Sequence, residues 1–239
     1  MSVAEFHRSF SVGQAVGFLA QIKGTLQQEA IVLPREGDFY TRIRHVFAEI
    51  DGLGKLLCGE QGKENTAQNA IAFGTEYLGR VNGRYGKMFG LLVDMYRHGL
   101  AHTHLTKCVR FRGAKNRWAT LGWVITDTES DRCHHLTVER RETWFFRLWL
   151  HVRQLVDDTL KAIDLYSADL QARGVRSRLF PRFKRGYLGT AAVFQEPLPS
   201  TGTPPRRGRR QKPLALNNYS APGISWVKSE IATGNSWKE

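Results

Sequence analysis

From Val12 to Tyr96, apolar residues return every three or four positions, the spacing that lines one face of an α-helix. Val12, Val16, Leu19, Ile22 and Leu26 predict a first helix over residues 12–30, with Gln14, Lys23 and Gln27 elsewhere around it. LPREGD breaks the pattern, and Asp38 is placed to cap a second helix whose core face runs through Phe39, Ile43, Val46 or Phe47, Ile50, Leu53 and Leu57. Gly52 and Gly54 either weaken this helix near its end or let another backbone approach closely. After the polar loop CGEQGKENT, the spacing of Ala67, Ala70 or Ile71, Tyr77 or Leu78, and Val81 predicts a third helix. NGRYG reads as a turn, and Met88, Leu91, Leu92, Met95 and Tyr96 form the buried face of the next helix.

The period changes between Val109 and Glu139. RWATLGWVIT and CHHLTVE are short β-rich runs joined by the polar DTESDR, so a hairpin is expected at about residues 109–139, as a two- or three-stranded appendage. Residues 143–172 carry the longest helical pattern, with Phe146, Leu150, Leu155, Leu160, Ile163 and Leu170 among its apolar positions. Trp144, Phe145 and Trp149 make its start apolar nearly all round, which calls for cover from other helices or a second subunit. The expected class is therefore mainly α, one helical domain over residues 1–172 with a small β-hairpin insertion.

Beyond Arg173 the periodicity fades. Residues 173–195 read as a basic and aromatic extension, and residues 196–239 as a Pro/Arg-rich tail whose composition buries too little apolar surface to offset the entropy of ordering it. Charge divides the chain in the same place. Of the formal net charge of +13, residues 172–239 carry +10, from thirteen Lys and Arg against three Glu, which leaves +3 for the rest. Cys58, Cys108 and Cys133 have neither disulfide-framework nor CxxC spacing, and no window offers a membrane span or the apolar core of a secretion signal. These features predict a cytoplasmic protein with no membrane partner.

The densest chemistry lies in MYRHGLAHTH, residues 95–104, which places Arg97, His98, His102 and His104 at the end of a helical pattern. Arginine is a permanent cation, and histidine titrates nearest neutral pH. His102 is suited to act as general base or acid on a ribose 2′-hydroxyl or a leaving oxygen, with Arg97 stabilising charge on the phosphoryl oxygens and no metal required. On an ideal helix, residues five apart differ by about 140°. A shared site therefore needs an interruption near Gly99 or a second copy of the segment.

RHGLAH, Arg97 to His102, resembles the Arg-polar-x-x-x-His signature of HEPN domains, with His98 at the polar position. The upstream segment FAEIDGLGKLL, with Glu49 and Asp51, and the order of elements over residues 10–171 are similar to a HEPN-like branch. The resemblance implies an up-and-down helical bundle that forms a homodimer, so that two motifs meet in one composite site. It further implies a metal-independent endoribonuclease that leaves a 2′,3′-cyclic phosphate, in a bacterial or phage setting such as defence or toxin–antitoxin conflict, with RNA as substrate and an antitoxin or other protein as partner. On this reading Arg97 is the phosphate clamp, His102 the acid or base and His98 its polar support. Tyr96 and His104 contact substrate, and Glu49 orients His102 or Arg97.

Plainer readings stand beside this one. Helix C-termini attract cations, and Arg97 and His98 followed by Gly99 make an ordinary stop signal, though a cap has no need of His102 or His104. HEPN-like bundles also serve as non-catalytic modules that bind nucleic acid or a protein. His98 and His102, with Cys133, His134 and His135, offer metal-ligand types without the spacing of the strong zinc signatures; no metal or other cofactor is expected. In the tail, Arg206, Arg207, Arg209, Arg210 and Lys212 would attract a polyanion, and Arg182, Lys184 and Arg185 interleaved with Phe180, Phe183 and Tyr187 suggest stacking on unpaired bases. The alternative for both is a solvated segment that favours solubility.

Overall fold

The computed structural model describes residues 9–32, 39–59, 66–97, 108–112, 117–174, 177–195 and 222–232. They form a mainly helical structure with one four-stranded sheet. Helix α1 spans Val12–Val32 and α2 spans Phe39–Cys58, close to the spans their periodicity predicts. The start of α1 is fixed by a reciprocal cap: Gln14 N donates to Ser11 Oγ at 3.3 Å, and Ser11 N donates to Gln14 Oε1 at 2.8 Å. Asp38, the expected cap of α2, lies outside the described residues.

The third predicted helix is present but widened. It runs as α3, Thr66–Phe73, through a π-turn at Gly74–Leu78 into the short α4, Gly79–Val81. Packing accounts for glycine here, since a Cβ on Gly74 would overlap the Phe89 ring. The expected turn at NGRYG narrows to one extended residue, Asn82, whose side chain accepts from Arg84 N at 3.1 Å and caps α5, Gly83–Leu92. A second π-turn, Val93–Arg97, follows that helix.

The sheet differs from the expected hairpin. Strands β1 (Val109–Arg112) and β2 (Trp118–Thr126) are antiparallel, but β2 then pairs in parallel with β4 (Phe145–His151), and β3 (Val138–Arg140) lies antiparallel on the far side of β4. The strand order is β1-β2-β4-β3. DTESDR is thus no hairpin loop: a 3-10 helix at Glu129–His134 carries the chain from β2 towards the opposite edge. The first residues of the predicted helix 143–172 are strand instead, and α6 begins at Val152 and ends at Arg173. Five of the seven residues of FFRLWLH are apolar, and such a run without strict alternation looks the same as the start of a buried helix. His151 makes the change of structure, since its Nδ1 accepts from Gln154 N at 3.1 Å as the cap of α6.

Two further corrections concern the C-terminal third. Residues 179–195 form a helix, α7, with Leu179, Phe180 and Phe183 in the core. Helix α8, Pro222–Ala232, stands within the tail expected to be disordered, packs on α5 and β3, and buries Ile224, Trp226 and Val227. The rest of residues 196–239 lies outside the described residues.

One apolar cluster joins all of these elements. Helix α2 packs on α3, α6 and α7, while α1 packs on α6. Gly54 makes the α2–α3 approach possible, because a Cβ there would collide with the Asn69 carbonyl; Gly52 faces open space. Gly186 of α7 meets α2 in the same way, with a Cβ placed 2.6 Å from the Lys55 carbonyl oxygen. On the sheet, Val109, Phe111, Leu121, Phe146, Leu148 and Val138 face the core, and Trp123 packs edge-on against Tyr40 of α2 at 6.2 Å. Arg42 of α2 is tied to Asp127 beyond β2 at 2.6 Å, both side chains 6% exposed. No helix among the described residues is long and apolar enough to cross a membrane.

Candidate functional site

Helix α5 delivers the chain to the motif. Arg97 is the last residue of the π-turn that follows it; the Arg97 side chain, and His98, His102 and His104, lie outside the described residues. The same holds for Arg206, Arg207, Arg209, Arg210 and Lys212. Glu49 is half-buried on α2.

Tyr96 does not fit the role of a substrate contact. It is fully buried, and its hydroxyl donates to the Leu148 carbonyl oxygen at 3.3 Å, which ties the end of α5 to strand β4. Burial raises its pKa, so the phenol stays protonated. The stacking platform expected beside Arg182, Lys184 and Arg185 is also corrected. Arg182 and Arg185 are exposed and Lys184 is half-buried, but Phe180 and Phe183 are core residues, and Tyr187 packs against Phe10 at 4.9 Å and Phe18 at 4.8 Å. Folding as a helix directs the aromatic residues inward and leaves only the cations outside.

The histidines around the sheet form a buried network. His135 Nδ1 accepts from His151 N at 3.1 Å, which leaves the proton of the neutral ring on Nε2. That Nε2–H donates to the Tyr85 hydroxyl at 2.7 Å, and Tyr85 donates to Asp158 Oδ2 at 3.2 Å. Gln154 Nε2 holds Asp158 Oδ1 at 2.7 Å, and Arg132 Nε donates to Gln154 Oε1 at 2.6 Å. In His151 the same logic leaves the proton on Nε2, which donates to the Thr128 carbonyl at 3.1 Å. Burial, followed by the charges of His151, Arg84 and Arg132, lowers the His135 pKa to about 3, and burial raises that of Asp158. Tyr85, His135, His151 and Asp158 are all buried, so this network joins α5, β4 and α6 rather than serving a solvent-facing reaction.

The metal alternative gains no support from the same region. Cys133 donates its thiol to the Ser130 carbonyl at 3.4 Å, His134 packs on Trp149 at 5.5 Å, and both nitrogens of His135 are engaged. No group of three or more His, Cys, Asp or Glu among the described residues could hold a metal ion.

A cationic and aromatic face had a sequence signal that the helical motif overshadowed. In VRFR, strict alternation sends Val109 and Phe111 to the core and Arg110 and Arg112 outward. The guanidinium carbons of Arg112 and Arg110 lie 3.9 Å and 5.3 Å from the centre of the Trp118 ring. Trp118 and Trp144 are the two exposed large apolar side chains among the described residues, at 42% and 52%. Towards the other edge, Glu139 is fully buried and accepts from Arg147, Arg141 and Trp149. Burial alone would raise its pKa, but these hydrogen bonds outweigh that and hold it below the ordinary value.

Compared with protein-family models, curated proteins and solved structures, the chain matches none.

Proposed function

We propose that the chain is a metal-independent endoribonuclease of the HEPN type, with Arg97 and His102 as its working pair. The observation that supports the reading most is the π-turn Val93–Arg97, which follows α5 and has Arg97 as its last residue. Such turns are frequent at functional sites, and this one interrupts the helical register just before the arginine–histidine spacing begins. In the reaction, His102 takes the proton of a ribose 2′-hydroxyl, and the oxygen attacks the adjacent phosphorus. The bond to the 5′-oxygen breaks, a protonated imidazole returns a proton to that oxygen, and a 2′,3′-cyclic phosphate remains. Arg97 stabilises the charge gathered on the phosphoryl oxygens. Two copies of the chain would supply the two imidazoles, one as base and one as acid, in a homodimer. His98 supports the pair, Glu49 orients it, and His104 contacts the substrate. A defence or toxin–antitoxin setting, with a protein partner that restrains the activity, follows from the HEPN resemblance.

The test is RNA cleavage by the full chain in EDTA, with product ends identified. Arg97→Ala and His102→Ala should each abolish cleavage while unfolding midpoints stay at the parent value. If both variants cut as well as the parent, or the parent cuts no RNA with or without a partner, the ribonuclease reading falls. A non-catalytic HEPN-like module is the second reading, favoured by the burial of Tyr96 in the core. It would bind nucleic acid in a salt-dependent way, weaken when Arg206, Arg207, Arg209, Arg210 and Lys212 are replaced by Ala, and release no products.

A further inference from the structure

The outward face of the sheet brings together groups that the sequence separates by more than thirty residues. Arg112 sits directly across the β1–β2 ladder from Trp118, and Arg110 across from Thr120. Thr120 is in turn the partner of Phe145 on β4, so the same row continues over the parallel pair. Gly122 makes room for it, since a Cβ there would come within 2.9 Å of the Phe145 ring. Trp144 stands beside Phe145, with ring centres 5.7 Å apart. The one carboxylate among the strand residues of this face, Glu139, is fully buried beneath Arg147, Arg141 and Trp149. The open part of the face therefore combines flat aromatic surface with guanidinium groups held in place by an indole.

We propose that this face, built from Arg110, Arg112, Trp118, Trp144 and Phe145, binds an unpaired RNA strand, with bases against the rings and phosphates on the guanidinium groups. Charge alone would suit any polyanion. An acidic peptide lacks planar groups at regular spacing, and a duplex hides the faces of its bases, whereas an unpaired strand presents both features together. Gly122 lets the Phe145 ring lie against the sheet. That the strand is RNA rests on the ribonuclease reading; that it is unpaired rests on the face itself.

The experiment is fluorescence anisotropy with a labelled oligouridylate of about 12 nucleotides, within the range that a small platform covers. The full chain carries Arg97→Ala to prevent cleavage. Trp118→Ala should weaken binding about tenfold or more, and Trp118→Phe should recover most of the loss, because stacking needs a ring rather than an indole. Replacing Arg110 and Arg112 together by Ala should flatten the dependence of log K on log salt by about 1.4, the share of two phosphate contacts on a single strand. Parent affinity in both Trp118→Ala and Trp144→Ala overturns the proposal, as does equal competition by duplex RNA. If Trp118→Ala instead dissociates a dimer and leaves RNA affinity unchanged, the face is a self-interface and the proposal also falls. Equal binding of an oligothymidylate retains the platform and overturns its assignment to RNA. If the parent cuts no RNA with or without a partner while Trp118→Ala still weakens binding, the ribonuclease reading falls and the platform stands.

Discussion

His135 Nε2 lies 2.7 Å from the hydroxyl of Tyr85, and that one contact joins the start of α5 to the segment leading into β3. Its partners settle the protonation state. Nδ1 is already an acceptor for His151 N, so a second ring proton would remove that bond and place a charge in a buried site with Arg84 and Arg132 nearby.

The pH dependence of stability follows from this. The folded pKa of His135 is about 3, below the ordinary value near 6.5, so the unfolded chain binds the extra proton first. The contribution is complete above about pH 6.5 and is lost as pH falls towards 3, at roughly 1.4 kcal/mol per unit, or about 2 kcal/mol by pH 5. Asp158 has a raised pKa and acts in the opposite sense, taking up a proton in the folded state and offsetting part of the loss at the acidic end. Urea unfolding at pH 7.5 and pH 5 measures the difference. His135→Gln should lower stability at both values and flatten the slope between them; an unchanged slope would show that another group titrates.

The two glycines of α2 should respond in opposite ways. Gly54→Ala forces a methyl group into the Asn69 carbonyl and should cost about 1–3 kcal/mol. Gly52→Ala meets open space in a helix and should stabilise by about 0.5–1 kcal/mol. Thermal unfolding of both variants checks the sign. If Gly54→Ala were neutral, α2 and α3 would not approach as closely as described.

Trp226 tests whether the C-terminal helix belongs to the core. The residue is 8% exposed on α8, against α5 and β3, and Trp226→Ala should cost about 3 kcal/mol in urea unfolding. A loss below about 0.5 kcal/mol, the range of ordinary surface changes, would return the segment to the role of a loose tail.

Local spacing by itself determined α1, α2 and the segments of α3 and α5. The positions of Leu19 and Leu26 on α1, Ile43, Phe47 and Ile50 on α2, and Met88, Leu92 and Met95 on the α5 segment were legible because an amphipathic helix records its buried face every three or four residues. The end of α6 was legible for the same reason. Tertiary structure alone decided the pairing of β2 with β4, because partners more than twenty residues apart leave no period in either strand, and a mostly apolar run without strict alternation resembles a buried helix. It also decided which aromatic residues were available. Phe180 and Phe183 went inward while Trp118 and Trp144 stayed outside, since burial depends on which surfaces meet and not on how apolar a side chain is.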